Sequence, residues 1–322
     1  MMKTQDSKGP DSTPAATGRP GPTSSITRDP HLETTGLSVG YGEHLVINNI
    51  DLDIPVGTIG AIIGPNGCGK STFLRALARL LKPANGTVLL NGADIASMPT
   101  KRVATQVGLL PQSSIAPEGI TVSDLVSRGR YPYHRFGSAW NAEDQAAVDH
   151  ALRATGMEGF ADRPVDELSG GQRQRAWIAL TLAQQTGIVL LDEPTTFLDV
   201  SYQLEVLDLL SDLNASEGTT IVMVLHDVNL AARYADWMLA LCDGHQEALG
   251  TPDEILTEEL VHRVFGVEAT IVDDPASGMP MMIADRRHSL RARRALHETS
   301  VGGNSGARTA PKTERDAHHE HK

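Results

Sequence analysis

The chain has little that could cross-link it or anchor it in a membrane. Its 322 residues include only two cysteines, Cys68 and Cys242, which lie far apart in the sequence. Two thiols with no pairing pattern exclude a disulfide scaffold and are typical of a reducing compartment. No apolar run approaches the ~18–20 residues that a membrane-spanning helix needs, and the first six residues lack the apolar stretch of a signal peptide. We therefore expect a soluble, cytoplasmic protein.

Basic residues are also in the minority, and they are unevenly distributed. The chain has 28 Lys and Arg residues against 40 Asp and Glu residues, which gives a formal net charge of −12. Nine of the basic residues but only four of the acidic ones lie in 286–322, so the middle of the chain is strongly acidic. An acidic surface repels a phosphate backbone. The charge pattern therefore predicts that the protein does not bind nucleic acid.

Composition divides the chain into three parts. Residues 1–33 are rich in Pro, Gly, Ser and Thr, and residues 286–322 are poor in apolar residues, so we predict a disordered N-terminal tail and a disordered, basic C-terminal tail. The domain between them, 34–285, alternates apolar and polar residues over 37–54, as a half-buried strand pair does. Strand-like and helix-like segments then alternate, which predicts an α/β domain with a mainly parallel sheet. The polar, helical stretch of about 113–167 predicts an inserted helical subdomain.

One loop carries a specific chemical signal. GPNGCGKS at 64–71 fits the P-loop template, with an apolar strand before it and a helix after it. The predicted apolar stripe of that helix consists of Phe73, Leu74, Leu77, Leu80 and Leu81. Glycines let backbone amides approach phosphate oxygens, and the helix N-terminus adds partial positive charge at the same place. We predict that Lys70 reaches the β- and γ-phosphates of a nucleotide and that Ser71 binds Mg²⁺.

Two other segments complete this chemistry. An apolar run at 188–191 ends in two carboxylates, Asp192 and Glu193. At the end of a strand beside a P-loop, the first carboxylate can hold Mg²⁺ and the second can polarise a water for attack on the γ-phosphate. LSGGQ at 168–172 precedes an apolar helix, where Ser169 predicts a helix cap and the two following glycines expose amides to an anion.

These motifs, in this order and at this spacing, resemble those of the ATP-binding-cassette (ABC) ATPases over about 34–285. The resemblance implies the P-loop NTPase ABC-ATPase fold: a mainly parallel core sheet, an antiparallel β subdomain and an inserted helical subdomain. It implies that Glu193 is the catalytic base, that Lys70 and His226 hold the γ-phosphate, and that Mg²⁺ is bound by Ser71, Gln112 and Asp192. The residues implied to contact ATP are Tyr41, Gly64, Pro65, Asn66, Gly67, Cys68, Gly69, Lys70, Ser71, Thr72, Gln112, Ser169, Gly170, Gly171, Gln172 and Asp199.

Some of these residues also have simpler interpretations. Tyr41 could be an edge-strand aromatic, Gln112 a polar loop residue, and His226 a structural histidine. The position of Cys68 within the P-loop is variable in the family, so we expect no catalytic role for its thiol.

The resemblance also implies partners. The expected assembly is a head-to-tail homodimer in which Ser169 and Gly171 of one chain cover ATP bound by the other. Two transmembrane permease subunits and an extracytoplasmic substrate-binding protein, acting through the permease, would complete it, with this chain peripheral on the cytoplasmic face of the cell membrane. Residues 112–140 would dock on the permease through Tyr131, Tyr133, Phe136 and Trp140, although these aromatics could instead form a local core.

Four segments are similar to those of ferric-siderophore importer ATPases: 129–132, 172–180, 192–199 and 272–278. The expected function is therefore ATP hydrolysis that energises uptake of iron(III)–siderophore complexes. Cobalamin or haem import is the alternative, because those importers belong to the same branch. A non-transport ABC ATPase is a remote alternative.

Overall fold

A computed structural model describes residues 30–112, 115–134, 139–196 and 198–285. Regular structure begins at Leu32, inside the segment 1–33 that composition assigned to a tail. Leu32 is fully buried, and its carbonyl accepts a hydrogen bond from the Ile54 N–H at 3.1 Å, a long-range contact that composition could not reveal. Residues 1–29 and 286–322, the bulk of the two predicted tails, lie outside the described residues.

Strands and helices alternate through most of the described chain. The strands are β1 (Leu32–Tyr41), β2 (His44–Asp53), β3 (Ile59–Ile63), β4 (Asn85–Leu90), β5 (Ala93–Asp94), β6 (Val107–Leu110), β7 (Ile188–Asp192), β8 (Thr220–Val224), β9 (Trp237–Cys242), β10 (His245–Gly250), β11 (Ala269–Asp273) and β12 (Pro280–Ala284). The helices are α1 (Lys70–Leu77), α2 (Thr100–Ala104), α3 (Val122–Ser127), α4 (Ala142–Ala154), α5 (Gly170–Ala183), α6 (Val200–Glu217), α7 (Val228–Tyr234), α8 (Pro252–Ile255) and α9 (Glu258–Phe265).

The core sheet has six strands in the order β10-β9-β3-β8-β7-β6. The four strand pairs from β9 to β6 are parallel, and β10 pairs antiparallel with β9 at the edge. All residues of β3, β7 and β8 are buried, because helices and the second sheet cover both faces. The predicted mainly parallel α/β sheet is confirmed.

A second, antiparallel sheet has the order β2-β1-β4-β5. Strands β1 and β2 form the pair predicted over 37–54, and Tyr41 lies opposite His44 at their turn. Apolar side chains of this sheet, such as Leu37 and Ile47, pack with α1 and with one face of the core sheet. The sheet therefore lies directly beside the predicted phosphate loop.

Helix α1 is shorter than its predicted apolar stripe. Phe73, Leu74 and Leu77 are fully buried, but Leu80 is 63% exposed. The helix ends at Leu77, and Arg79 takes a left-handed backbone with φ 59°, which redirects the chain. The prediction that Leu80 continues the buried stripe is wrong for that reason, whereas Leu81 packs at the margin of the core.

Helices α3 and α4 occupy the stretch predicted to be helical, and both pack against α5. Arg130, in the 3₁₀ turn after α3, is 2% exposed and donates from Nε to Asp144 Oδ1 at 3.1 Å. Its Nη1 donates to the Ala183 carbonyl at the end of α5. This buried ion pair ties all three helices together. Of the four aromatics predicted to dock or to form a core, Tyr131 is 65% exposed, Tyr133 and Trp140 are partly exposed at 38% and 43%, and Phe136 lies outside the described residues.

The last two strands, β11 and β12, form a separate hairpin beside α7 and α9. Within the ranges that the structure describes, no helix combines the length and the apolar character that crossing a membrane requires.

Candidate functional site

The phosphate loop connects the buried strand β3 to helix α1. Gly64, Gly67 and Gly69 all adopt positive φ values, of 147°, 82° and 106°. A Cβ on Gly64 would lie 2.1 Å from the Leu241 carbonyl oxygen, so only glycine fits there. Gly69 is the N-cap of α1 and offers no side-chain cap, so the first amides of the helix remain available to an anion.

Lys70 lies at the start of α1 with its charge turned toward the loop. Its Nζ donates to the carbonyl oxygens of Gly64 at 2.8 Å and Pro65 at 2.9 Å. The residue is only 5% exposed. A buried ammonium held by two carbonyl dipoles is a concentrated positive charge, as phosphate binding requires.

A cavity of about 150 Å³ opens above this loop. Of the residues predicted to contact ATP, six line it: Asn66, Gly67, Gly69, Lys70, Ser71 and Thr72. Glu193 also lines it, and so does Val46 of β2, which the sequence analysis did not identify. The Cys68 side chain instead packs in the hydrophobic core, where burial raises the pKa of its thiol.

Asp192 ends β7 beside Ser71. The Ser71 hydroxyl donates to Asp192 Oδ1 at 2.7 Å, while Oδ2 is buried without a hydrogen-bond partner. Arg75 of α1, which the sequence analysis missed, approaches that oxygen to 4.0 Å, too far for a hydrogen bond. Burial raises the pKa of this carboxyl above its usual value, against the opposing effects of Ser71 and Arg75. A buried carboxylate oxygen without a donor is a ligand available to a cation.

Glu193 has three hydrogen-bond donors. Gln112 Nε2 donates to Oε2 at 2.7 Å, and the Thr196 hydroxyl donates to the same oxygen at 2.9 Å. His226 Nε2 lies 2.7 Å from Oε1. Burial opposes ionisation of Glu193, but the hydrogen bonds from His226, Thr196 and Gln112 outweigh it and lower the pKa of the carboxyl. Glu193 therefore stays ionised at neutral pH, the form that accepts a proton.

Some residues near the site make contacts that differ from those expected from the sequence. Gln112 contacts Glu193, not Asp192, so its predicted place in the metal site is not the one it occupies here. Thr196 was not identified from the sequence, although it stands three residues after Glu193 in a turn. Tyr41 lies half-exposed at the end of β1 and does not line the cavity.

The polar groups of the LSGGQ segment are engaged in helix capping. Ser169 caps α5, accepting from the Gln172 N–H at 3.3 Å, and the Gln172 side chain accepts from the Ser169 N–H at 3.1 Å. Gly171 lies against the Tyr202 ring, while the backbone of Gly170 borders open space. Asp199 caps α6 by accepting from the Tyr202 N–H at 3.1 Å. None of these predicted ATP contacts lines the cavity above the phosphate loop.

Comparison with known proteins gives concordant relatives. A family model described as ABC transporter matches residues 47–196. Petrobactin import ATP-binding protein FpuD of Bacillus anthracis is 56% identical over 252 residues, covering 78% of this chain and 92% of that protein. Ferric enterobactin transport ATP-binding protein FepC of Escherichia coli is 51% identical over 261 residues, covering 81% and 95%. Cobalamin import ATP-binding protein BtuD of Halobacterium salinarum is more distant, 37% identical over 278 residues that cover 86% and 69%.

Solved structures agree with these relatives. An ABC transporter of metal-chelate type in an inward-facing conformation superposes with a TM-score of 0.70 at 28% identity, covering 81% of this chain and 100% of that one. A dimeric ATP-binding cassette bound to ADP and Pi superposes with a TM-score of 0.61 at 29% identity, covering 68% and 98%. Since relatives that share half of its residues align along nearly their full length, this chain belongs to the ABC transporter ATP-binding proteins, which hydrolyse ATP.

Proposed function

We propose that this chain hydrolyses ATP to drive import of iron(III)–siderophore complexes, as a peripheral subunit on the cytoplasmic face of the cell membrane. The observation that carries the hydrolytic part is the Glu193 side chain, which lines the phosphate-loop cavity and whose hydrogen bonds lower the pKa of its carboxyl. The cargo part rests on FpuD and FepC, which are 56% and 51% identical and are named for petrobactin and ferric enterobactin.

The residues around the cavity fit the phosphates of ATP and a Mg²⁺ ion. The amides of the loop and of the first turn of α1 would bind phosphate oxygens, and these oxygens would replace the two carbonyls as partners of Lys70. Ser71 and Asp192 would hold Mg²⁺, because Asp192 Oδ2 is buried and unpartnered. Bound Mg²⁺ neutralises charge on the phosphate oxygens. Gln112 would have to leave Glu193 to join this site.

The proton chemistry then falls to Glu193. The carboxylate accepts a proton from the water that attacks the γ-phosphate, and His226 orients the carboxylate through Oε1. Gln112 and Thr196 both occupy Oε2, so release of Gln112 frees a lone pair for the water. The hydrogen bonds from His226, Thr196 and Gln112 lower the pKa of Glu193, which favours the deprotonated base before the water arrives.

We further propose that two copies form a head-to-tail dimer, with Ser169 and Gly171 of one chain covering ATP on the other. Supporting this, the LSGGQ segment is preorganised by its capping contacts but lies outside its own chain's cavity. A mixing experiment tests it. A Lys70→Ala chain and a Ser169→Arg chain, each inactive alone, should regain ATPase activity when mixed, because one pairing of intact motifs is restored. No recovery in a mixture that does form dimers would overturn this arrangement.

We propose that the permease docks at a groove of about 500 Å³ between α1, α2, β6 and the end of α5. Val103, Ala104, Val107 and Leu109 make its wall apolar. Arg79 Nη1 and Gln184 Oε1 are buried there without hydrogen-bond partners, so one donor and one acceptor await a partner segment. This groove adjoins the 112–140 surface, because the Tyr133 hydroxyl donates to the carbonyl of Gln184, a groove residue, at 2.6 Å. A substrate-binding protein would act through the permease.

Ala104→Arg should test the groove. A large cation there should block docking, so cargo uptake should fall while ATP hydrolysis by the isolated chain persists. Ala93→Arg, on the exposed strand β5, is the matched control and should leave uptake unchanged. Normal uptake with Ala104→Arg would contradict docking at this groove.

Uptake measurements test the cargo. Cells lacking this chain would be complemented with the parent, with Lys70→Ala, or with Lys82→Ala, an exposed lysine outside the cavity. Labelled ferric siderophore, cobalamin and haem would be supplied in parallel. We expect iron uptake to be restored by the parent and Lys82→Ala but not by Lys70→Ala. Loss of cobalamin or haem uptake alone would assign the alternative cargo, which the 37% identity to BtuD supports less strongly.

A further inference from the structure

Asn229 of helix α7 forms two hydrogen bonds with the C-terminal hairpin. Asn229 Nδ2 donates to the Met282 carbonyl at 3.0 Å, and the Met282 N–H donates to Asn229 Oδ1 at 2.7 Å. The side-chain amide thus pairs with the backbone of β12 as a neighbouring strand would. Both bonds require the same orientation of the amide, which fixes its donor and acceptor ends. Two bonds between residues 53 positions apart therefore join the hairpin to α7.

A second contact lies one turn further along α7. Arg233 Nη2 is 3.1 Å from Asp274 Oδ2, in the turn between β11 and β12. Asp274 also accepts from the Ser277 hydroxyl at 2.7 Å and from the Ala276 N–H at 3.0 Å, so the turn is rigid where Arg233 meets it. The hairpin consequently holds α7 at two points.

Helix α7 needs such support. It has only seven residues, too few to be stable without tertiary contacts. Its N-cap is Asp227, whose Oδ1 accepts from the N–H groups of Asn229 at 2.8 Å and Leu230 at 3.1 Å. Asn229 therefore bonds the cap through its backbone and the hairpin through its side chain.

His226 directly precedes that cap. It leaves the buried strand β8 after Leu225, and its half-exposed ring reaches Glu193 Oε1. The start of α7 thus fixes the direction from which the imidazole approaches the carboxylate. A small rotation of this turn would carry Nε2 out of hydrogen-bond distance, since such bonds weaken steeply with angle and length.

We infer that Asn229 is a positioning residue for ATP hydrolysis: by clamping α7 to β12, it holds His226 on Glu193. The inference rests on the hydrolytic function of this site. It assigns the C-terminal hairpin a role in turnover, although no residue of the hairpin lines the cavity above the phosphate loop.

Steady-state hydrolysis by the full-length chain tests this. Asn229→Ala removes both bonds to Met282, and we expect kcat to fall about tenfold while KM for ATP changes less than about twofold, because the lost contact acts on the reacting groups and not on the bound phosphates. Asn214→Ala is the matched control. Asn214 Nδ2 also donates two bonds to backbone carbonyls, those of Gly57 and Thr219, at the opposite end of the sheet. It should lower Tm comparably and leave kcat unchanged.

A double-mutant cycle separates positioning from general destabilisation. In a His226→Ala background, Asn229→Ala should reduce the residual rate by less than about twofold, because the group it positions is already gone. Asn229→Asp keeps the acceptor for Met282 N–H but loses the donor, so it should show an intermediate loss. A parent-like kcat in soluble Asn229→Ala and Asn229→Asp, or an equal fall in both backgrounds, would overturn the inference. Absence of hydrolysis by the parent would instead refute the proposed function.

Discussion

The phosphate-loop region and the LSGGQ region of this chain differ in where their polar groups point. Around the loop, Lys70, Ser71 and Glu193 converge on one cavity, and Asp192 Oδ2 beside it lacks a donor. In the LSGGQ region, Ser169 and Gln172 form reciprocal hydrogen bonds, each side chain accepting from the backbone N–H of the other residue. The phosphate-loop region therefore has an unpaired hydrogen-bond acceptor, whereas the LSGGQ region is internally hydrogen-bonded and does not line the cavity. From this difference we expect that a single chain binds phosphate and that a second surface is needed to enclose it.

The largest expected effect comes from removing the base in the loop region. Glu193→Gln keeps the side-chain shape but cannot take a proton, so turnover should fall roughly 10²–10⁴-fold while ATP still binds. Bound ATP that is not hydrolysed should then hold the two regions together. ATP hydrolysis, ATP binding and size-exclusion chromatography with ATP measure the three outcomes.

Glu217→Gln is the control for that variant. Glu217 ends α6 with an exposed carboxyl, 3.3 Å from His150 and away from the cavity. Its hydrolysis should equal that of the parent. A Glu193→Gln chain that turns over ATP at the parent rate would remove Glu193 from the chemistry and leave the loop region as a binding site only.

Two glycines sharpen the comparison between the regions. A Cβ on Gly69 would lie 2.6 Å from Ile47 Cδ1 at a φ of 106°, whereas a Cβ on Gly171 would meet the Tyr202 ring at 3.0 Å with ordinary φ. Gly69→Ala should therefore distort the loop and weaken ATP binding to the single chain by about tenfold or more, since residues with a Cβ are strained at such φ values. Gly171→Ala should leave that affinity within about twofold but reduce turnover in the dimer. Isothermal calorimetry on the single chain and ATPase assays measure the two effects. Equal losses of affinity would contradict the division into two regions.

The parts of this fold that were predictable from sequence are those fixed by local signals. Apolar runs gave the buried strands β3, β7 and β8, and the glycine pattern gave the loop between β3 and α1. The position of Leu80 was predicted wrongly because the spacing of apolar residues gives no sign of the left-handed turn at Arg79. Leu32 was missed because one apolar residue in a polar stretch gives no pattern.

The contacts that sequence could not reveal join distant segments. Val46 reaches the cavity from another sheet, and Arg75 approaches Asp192 from α1. Gln112 was expected on the metal, but its amide can bond either of two adjacent carboxylates, and only the folded geometry selects Glu193. The pairing of Asn229 with Met282 spans 53 positions and follows no periodicity. Motif order therefore predicts which residues take part, while three-dimensional packing decides which of them touch.

The smallest expected effect is on thermal stability. It distinguishes the two adjacent carboxyl groups of the loop region, those of Asp192 and Glu193. Burial raises the pKa of Asp192 in the fold, so its ionisation costs stability as the pH rises through that raised value, and Asp192→Asn should leave Tm at pH 7.5 unchanged or slightly higher. The pKa of Glu193 is lowered, so its carboxylate contributes stability above its unfolded pKa that is lost as the pH falls through the folded one. Glu193→Gln should therefore lower Tm at pH 7.5, and its difference from the parent should shrink on acidification.

Asp144→Asn is the comparison at equal burial. Asp144 is as buried as Asp192 but is paired with Arg130, so breaking that pair should lower the free energy of unfolding by about 3–5 kcal/mol. Calorimetry from pH 7.5 downward measures all three. If Asp192→Asn lowered Tm as much as Asp144→Asn does, the Asp192 carboxylate would already have stabilising partners in the fold and would not be a free ligand for a cation.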